Sequence, residues 1–147
     1  MRVAIGSDHA GFEQKAGLRS HLEKLGHEVI DVGPDSDGAS VDYPDFAEQV
    51  GTLVASGEVD RGVLVCGTGI GMAMAANKID GVRAANVVDA DFARLSREHN
   101  DANVVAVSGR FVSAEQNAQI IDAFLETEFL GDRHTRRVEK INALEGE

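Results

Sequence analysis

The runs "GVLVC" (62–66) and "NVVAV" (103–107) show no alternation of apolar and polar residues. A strand with one wet face alternates, whereas a strand covered on both faces reads as a continuous apolar run. Buried strands of this kind belong to a parallel sheet with helices packed on each side. Three more β-branched runs, at 2–6, 28–32 and 83–88, share the chain with them, and helical patterns fill the gaps at 11–24, 43–56, 70–78, 91–100 and 113–126. A last helix is expected over 132–144, with Asp132 as its N-cap. The rhythm predicts a three-layer, Rossmann-like α/β domain, with a five-stranded parallel sheet between helices, over residues 1–147 as one unit. No internal repeat or low-complexity segment interrupts it. The polar, turn-rich stretch "GPDSDGASVDYP" (33–44) reads as a surface loop near the site.

Composition removes whole classes of function. A chain of 147 residues that is 43% hydrophobic and 27% charged can bury a core and is not a disordered polymer. No apolar run approaches the ~18 residues of a membrane span. The N-terminal "MRVAIGSDHAG" has too short an apolar stretch for a secretory signal, so a cytoplasmic protein is expected, and a single cysteine fits that compartment. A formal net charge of -11 argues against nucleic acid as a partner.

In an open parallel sheet, ligands bind beyond the carboxyl ends of the strands, where the winding direction reverses. Those ends carry Ser7, Asp8 and His9 after the first strand and Cys66 with a glycine loop after the third. Val88 and Asp89 follow the fourth, and Ser108, Gly109 and Arg110 the fifth. The loop "CGTGIGMAMAANK" has Gly67, Gly69 and Gly71 at alternate positions. That spacing is neither the dinucleotide fingerprint nor the phosphate loop of NTPases. It is either a tight strand-to-helix turn or an anion cradle of free amides around Thr68 and Ile70. Cys66 is either a small buried hydrophobe or a base placed before a helix N-terminus, where a thiolate is favoured. A hydroxyl at Thr68 adds a donor to a proton-transfer site.

No H-E-x-x-H or paired Cys/His spacing appears among the five histidines, so no metal site is expected. His9 and His99 stand at element ends, whereas His21 and His27 flank "LEKLG" and read as solvated. In "DRHTRRVEK", Arg133 and Arg137 lie one helical turn apart on one face. They are either partners for Glu139 or a phosphate clamp.

The segments "GSDHAG", "DYPDFA", "CGTGIGMAMAANK", "SREHNDANV", "SGR" and "RHTRRVEKI" together resemble the type B ribose-5-phosphate isomerases, in the family shared with galactose-6-phosphate isomerase. The resemblance runs over nearly the whole chain. It implies interconversion of aldose and ketose sugar phosphates through a cis-enediolate, with no metal or cofactor. It also implies a homodimer or dimer of dimers, with sites at subunit interfaces and the C-terminal helix, about 132–144, at such an interface. By that resemblance Cys66 is the base, and the amides of Gly67, Thr68, Gly69, Ile70 and Gly71 hold the enediolate oxygens, with Thr68 assisting. His99 opens the sugar ring, although His134 does so in serine-type relatives. Asp8, His9 and Asn100 bind hydroxyls or the phosphate end, Arg110, Arg133 and Arg137 hold the phosphate, and Tyr43 borders the substrate. Allose 6-phosphate, galactose 6-phosphate and erythrulose 4-phosphate are alternative substrates. A nucleotide-binding module would have no use for Cys66, His99 and the arginines together, and a redox-sensing thiol would lack a second cysteine.

Overall fold

Eleven elements alternate along the chain as the sequence rhythm requires. The computed structural model describes residues 1–146, and Glu147, the last residue of the expected unit, lies outside the described residues. The order is β1 (Arg2–Ser7), α1 (Phe12–Lys24), β2 (Glu28–Gly33), α2 (Tyr43–Ala55), β3 (Arg61–Cys66), α3 (Ile70–Ala76), β4 (Ala84–Asn86), α4 (Ala90–Asn100), β5 (Val104–Ser108), α5 (Ala114–Glu126) and α6 (Arg133–Asn142). The five strands form one sheet in the order β2-β1-β3-β5-β4, and every pairing is parallel. No helix is long and apolar enough to cross a membrane among the described residues.

Side chains leave alternate faces of a strand, so each strand feeds two cores. Val3, Ile5, Val63, Val65, Val105 and Val107 point to the side covered by α1, α4 and α5, where they meet Leu18, Leu22, Ile120 and Phe124. Ala4, Leu64, Cys66, Val104 and Ala106 point to the side of α2 and α3, against Val50, Val54 and Met72. This two-faced burial is why the runs lack alternation. A fully buried side chain of this size contributes about 1.5–3 kcal/mol. Helix α5 buries five of its 13 residues, whereas α6 buries only His134 and Val138. Packing therefore fixes α5 firmly and α6 far less.

The boundaries depart from expectation where a side chain intervenes. The fourth strand, expected over 83–88, is only Ala84–Asn86, because Asp89 must stand free to cap α4 and its Oδ1 accepts the Phe92 N–H at 2.8 Å. Asp132 occupies the N-cap position of α6, but with φ 53° and ψ -127° its side chain makes no capping bond. His21 is no solvated residue: its Nε2 lies 2.8 Å from Asp122 Oδ1 and ties α1 to α5.

The chain winds outward from β1 to β2 on one side and from β3 toward β5 and β4 on the other. The reversal lies between β1 and β3, so their carboxyl ends flank the crevice.

Candidate active site

The crevice collects ten of the expected residues from four segments. At the end of β1, buried Asp8 accepts the Gly11 N–H through Oδ1 at 2.9 Å, and the Asp8 amide donates to Val65 O at 3.2 Å. His9 follows, and its Nδ1 accepts the Val41 N–H at 3.2 Å, which docks the 34–42 loop on the imidazole. A backbone N–H can only donate, so Nδ1 is the unprotonated nitrogen of the neutral ring. Across the crevice, Gly109 N–H donates to Cys66 O at 2.8 Å and Arg110 N–H to Gly67 O at 3.2 Å. The Arg110 guanidinium lies over Gly67, with Nη1 3.4 Å from where a Cβ would stand. Tyr43, first residue of α2, lays its ring on Gly71, where a Cβ would sit 2.6 Å from the ring carbons. Gly71 is a site of close approach rather than of unusual backbone.

The glycine loop is built around the sulfur. Cys66 is 5% exposed, and its Sγ accepts the Gly69 N–H at 3.2 Å. Gly69 has φ +85°, a left-handed conformation that glycine adopts without cost. Ile70 N–H donates to Thr68 Oγ1 at 3.1 Å. Two of the five amides expected to serve an anion are thus already committed within the loop. Gly67 N–H, Thr68 N–H and Gly71 N–H have no partner among the described residues and remain open to a ligand oxygen. The tight turn and the anion cradle are therefore the same structure.

The other five expected residues lie elsewhere. Helix α4 leaves the carboxyl end of β4 and returns over 11 residues, about 16 Å, toward the amino end of β5. His99 and Asn100 close that helix, at the end of the sheet opposite Cys66. The His99 ring stacks on His134 of α6, with centroids 4.3 Å apart and planes at 14°. Buried His134 is held below the ordinary histidine value, first by burial, then by the charges of His99, Arg133 and Arg137, with Asp132 acting in the opposite sense. Arg133 and Arg137 are exposed on α6 and enter no ion pair with Glu139 among the described residues. Asn100 faces a groove of about 610 Å³ whose walls include Lys78, Arg83, Ser96 and Ile141. No group of three or more His, Cys, Asp or Glu is placed to hold a metal among the described residues.

Two groups near the loop make contacts that the sequence does not disclose. Ser108 Oγ donates to Gly67 O at 2.7 Å and accepts the Phe111 N–H, and only its place at a strand end marked it. Asn86, on the edge strand, donates from Nδ2 to Thr68 O at 3.3 Å and to Ala106 O at 3.1 Å. A polar residue in a short edge strand gives no sequence signal of such a role.

Known proteins resemble this chain over nearly its whole length. Residues 3–141 match the family model described as Ribose/Galactose Isomerase. The chain is 47% identical over 144 residues to ribose-5-phosphate isomerase B of Escherichia coli, covering 98% of this chain and 96% of that protein. The structure of ribose-5-phosphate isomerase B from Clostridium thermocellum superposes with a TM-score of 0.96 at 48% identity, over 98% of this chain and 97% of that one. Ribose-5-phosphate isomerase B from Mycoplasma genitalium, solved with bound ribulose-5-phosphate, gives 0.93 at 45% identity, over 97% and 94%. With the sheet order, the glycine loop and the full-length likeness in agreement, the chain belongs to the Ribose/Galactose Isomerase family.

Proposed function

We propose that this protein interconverts D-ribose 5-phosphate and D-ribulose 5-phosphate in the cytoplasm, as a homodimer or dimer of dimers. The observation that carries the reading is Cys66 Sγ inside the glycine loop, held by the Gly69 N–H, with Arg110 against the loop at Gly67 and Tyr43 against it at Gly71. In the open-chain aldose, the Cys66 thiolate takes the C2 proton. The C–H electron pair forms the C1=C2 bond and the carbonyl pair moves to O1. A proton passes from O2 to O1, the C2–O2 pair closes to a carbonyl, and the thiol returns its proton to C1. Charge on the enediolate is met by the free amides of Gly67, Thr68 and Gly71, a stabilisation typically worth about 3–4 kcal/mol per donor in related chemistry. Every step is assigned to side chains and amides, so no metal or organic cofactor enters.

Because His99, Asn100, Arg133 and Arg137 lie far from Cys66 in their own subunit, they serve the Cys66 loop of a second copy. Exposed Ile70 and Met74 on α3, Val88 before α4 and Phe92 on it supply apolar surface for that contact, and the weakly packed α6 takes its place at the interface. His99 is the more exposed ring of the stack and opens the furanose, while His134 backs it. Arg110, Arg133 and Arg137 bind the phosphate, and Asp8, His9 and Asn100 the hydroxyls. The test is to incubate the pure protein with four-, five- and six-carbon sugar phosphates and follow aldose–ketose conversion. Preference for ribose 5-phosphate is expected, and faster turnover of a six-carbon substrate would overturn the assignment.

A further inference from the structure

We infer that Asn86 is a positioning residue for the sulfur of Cys66, acting through the Thr68–Gly69 peptide. Its effect on catalysis rests on the reading of Cys66 as the base. Asn86 stands on β4 opposite Ala106 of β5, beneath the glycine loop. Its two acceptors, Thr68 O and Ala106 O, are both carbonyls, so the side chain must present its NH₂ to them. Thr68 C=O and Gly69 N–H belong to one planar peptide and point in opposite directions. Holding the carbonyl on Asn86 therefore aims the N–H at Cys66 Sγ, where it is found at 3.2 Å. A flip of this peptide would turn the carbonyl oxygen toward the sulfur and set two electron-rich atoms against each other. The left-handed Gly69 makes such a flip sterically cheap, so something must oppose it. Asn86 is packed closely enough to do so, since a Cβ on Gly69 would collide with Nδ2. An N–H donated to sulfur favours the charged form over the neutral one.

The experiment reads the sulfur itself. Cys66 is the only cysteine, so iodoacetamide labelling of the folded enzyme reports on it alone. Asn86→Leu keeps the bulk and removes the donor, while Asn86→Asp keeps the shape and turns an oxygen toward the two carbonyls. In both, alkylation at pH 7 is expected to slow about tenfold, as loss of one donor to a charged group implies. Its pH profile should move to higher pH, and kcat should fall while KM changes less than about twofold. Asn77→Ala is the control for general loosening, because the Asn77 side chain holds the same strand through Ala84 N and Ala84 O without touching the loop. Parental alkylation profiles in the Asn86 variants, or an equal shift in Asn77→Ala, overturn the inference. Should Asn86→Leu fail to fold, Asn86→Asp decides. Failure of the base reading is seen separately, as proton exchange that survives Cys66→Ala.

Discussion

Around Cys66, four segments converge, and backbone bonds such as Asp8 N–H to Val65 O and Gly109 N–H to Cys66 O tie the strand ends together. Around His99, two helix ends meet through one stacked pair of rings, with two arginines exposed beside it. The first half is preorganised by the sheet and is complete within one chain. The second is presented on α4 and on an α6 that buries two side chains. A proton-transfer centre needs groups fixed to a fraction of an ångström, whereas a phosphate clamp on long arginines tolerates more play. On the proposed roles, the two halves differ in packing as their chemistry would require.

That contrast is broken most directly at Cys66. Cys66→Ala removes the proton acceptor but little volume from the α2/α3 core, so it should fold and lose roughly 10²–10⁴-fold in isomerisation. The measurement is exchange of the substrate C2 proton with solvent in the folded variant. Exchange at the parental rate would make Cys66 a packing residue and move the base elsewhere.

The claim that the halves belong to different subunits is sharpened by mixing. Cys66→Ala and His99→Asn should each be impaired alone. Random exchange of subunits in a two-fold dimer gives mixed dimers with one intact composite site, hence about a quarter of parental activity. No recovery after verified subunit exchange would place both halves in one chain.

The strand-end half was largely legible in the sequence. Apolar runs without alternation fixed a doubly covered parallel sheet, and the crevice rule then named Asp8, His9, the Cys66 loop and Arg110. The separation of His99 from Cys66 was not legible, because it depends on where α4 ends relative to the sheet rather than on any motif. Asn86 was hidden for a related reason: its partner Thr68 is 18 residues away, and β4 and the loop meet only through the tertiary fold. Asp132 misled because an acid before a helix usually caps it, and here the left-handed backbone turns the side chain away.

On the helix-end half, Arg137→Ala should leave the fold and the proton-transfer step intact and weaken substrate binding. One charged hydrogen bond lost to phosphate corresponds to about 1.5–3 kcal/mol, or roughly 10- to 150-fold in KM. Steady-state kinetics with ribose 5-phosphate checks it, and an unchanged KM would remove Arg137 from the clamp.

The smallest effect expected is on stability, and it tests whether His134 is held as a neutral, packed ring in the folded state. The folded state holds His134 below the ordinary value of about 6.5, through burial first and then its basic neighbours His99, Arg133 and Arg137, against Asp132. In the window between the lowered folded value and 6.5, the unfolded chain binds the proton and the folded chain does not. Stability then rises with pH, is complete above about 6.5, and is lost as pH falls through the window toward the folded value. His134→Asn removes the titrating group, so its melting temperature should drop less than the parent's between pH 7.5 and 5.5 at one fixed protein concentration. Carboxylates that titrate in the same range are common to both proteins and cancel in the difference. Equal drops would mean that His134 takes up its proton in the folded state as readily as in the unfolded one. His134 would then be a charged surface ring rather than a neutral one packed beneath His99.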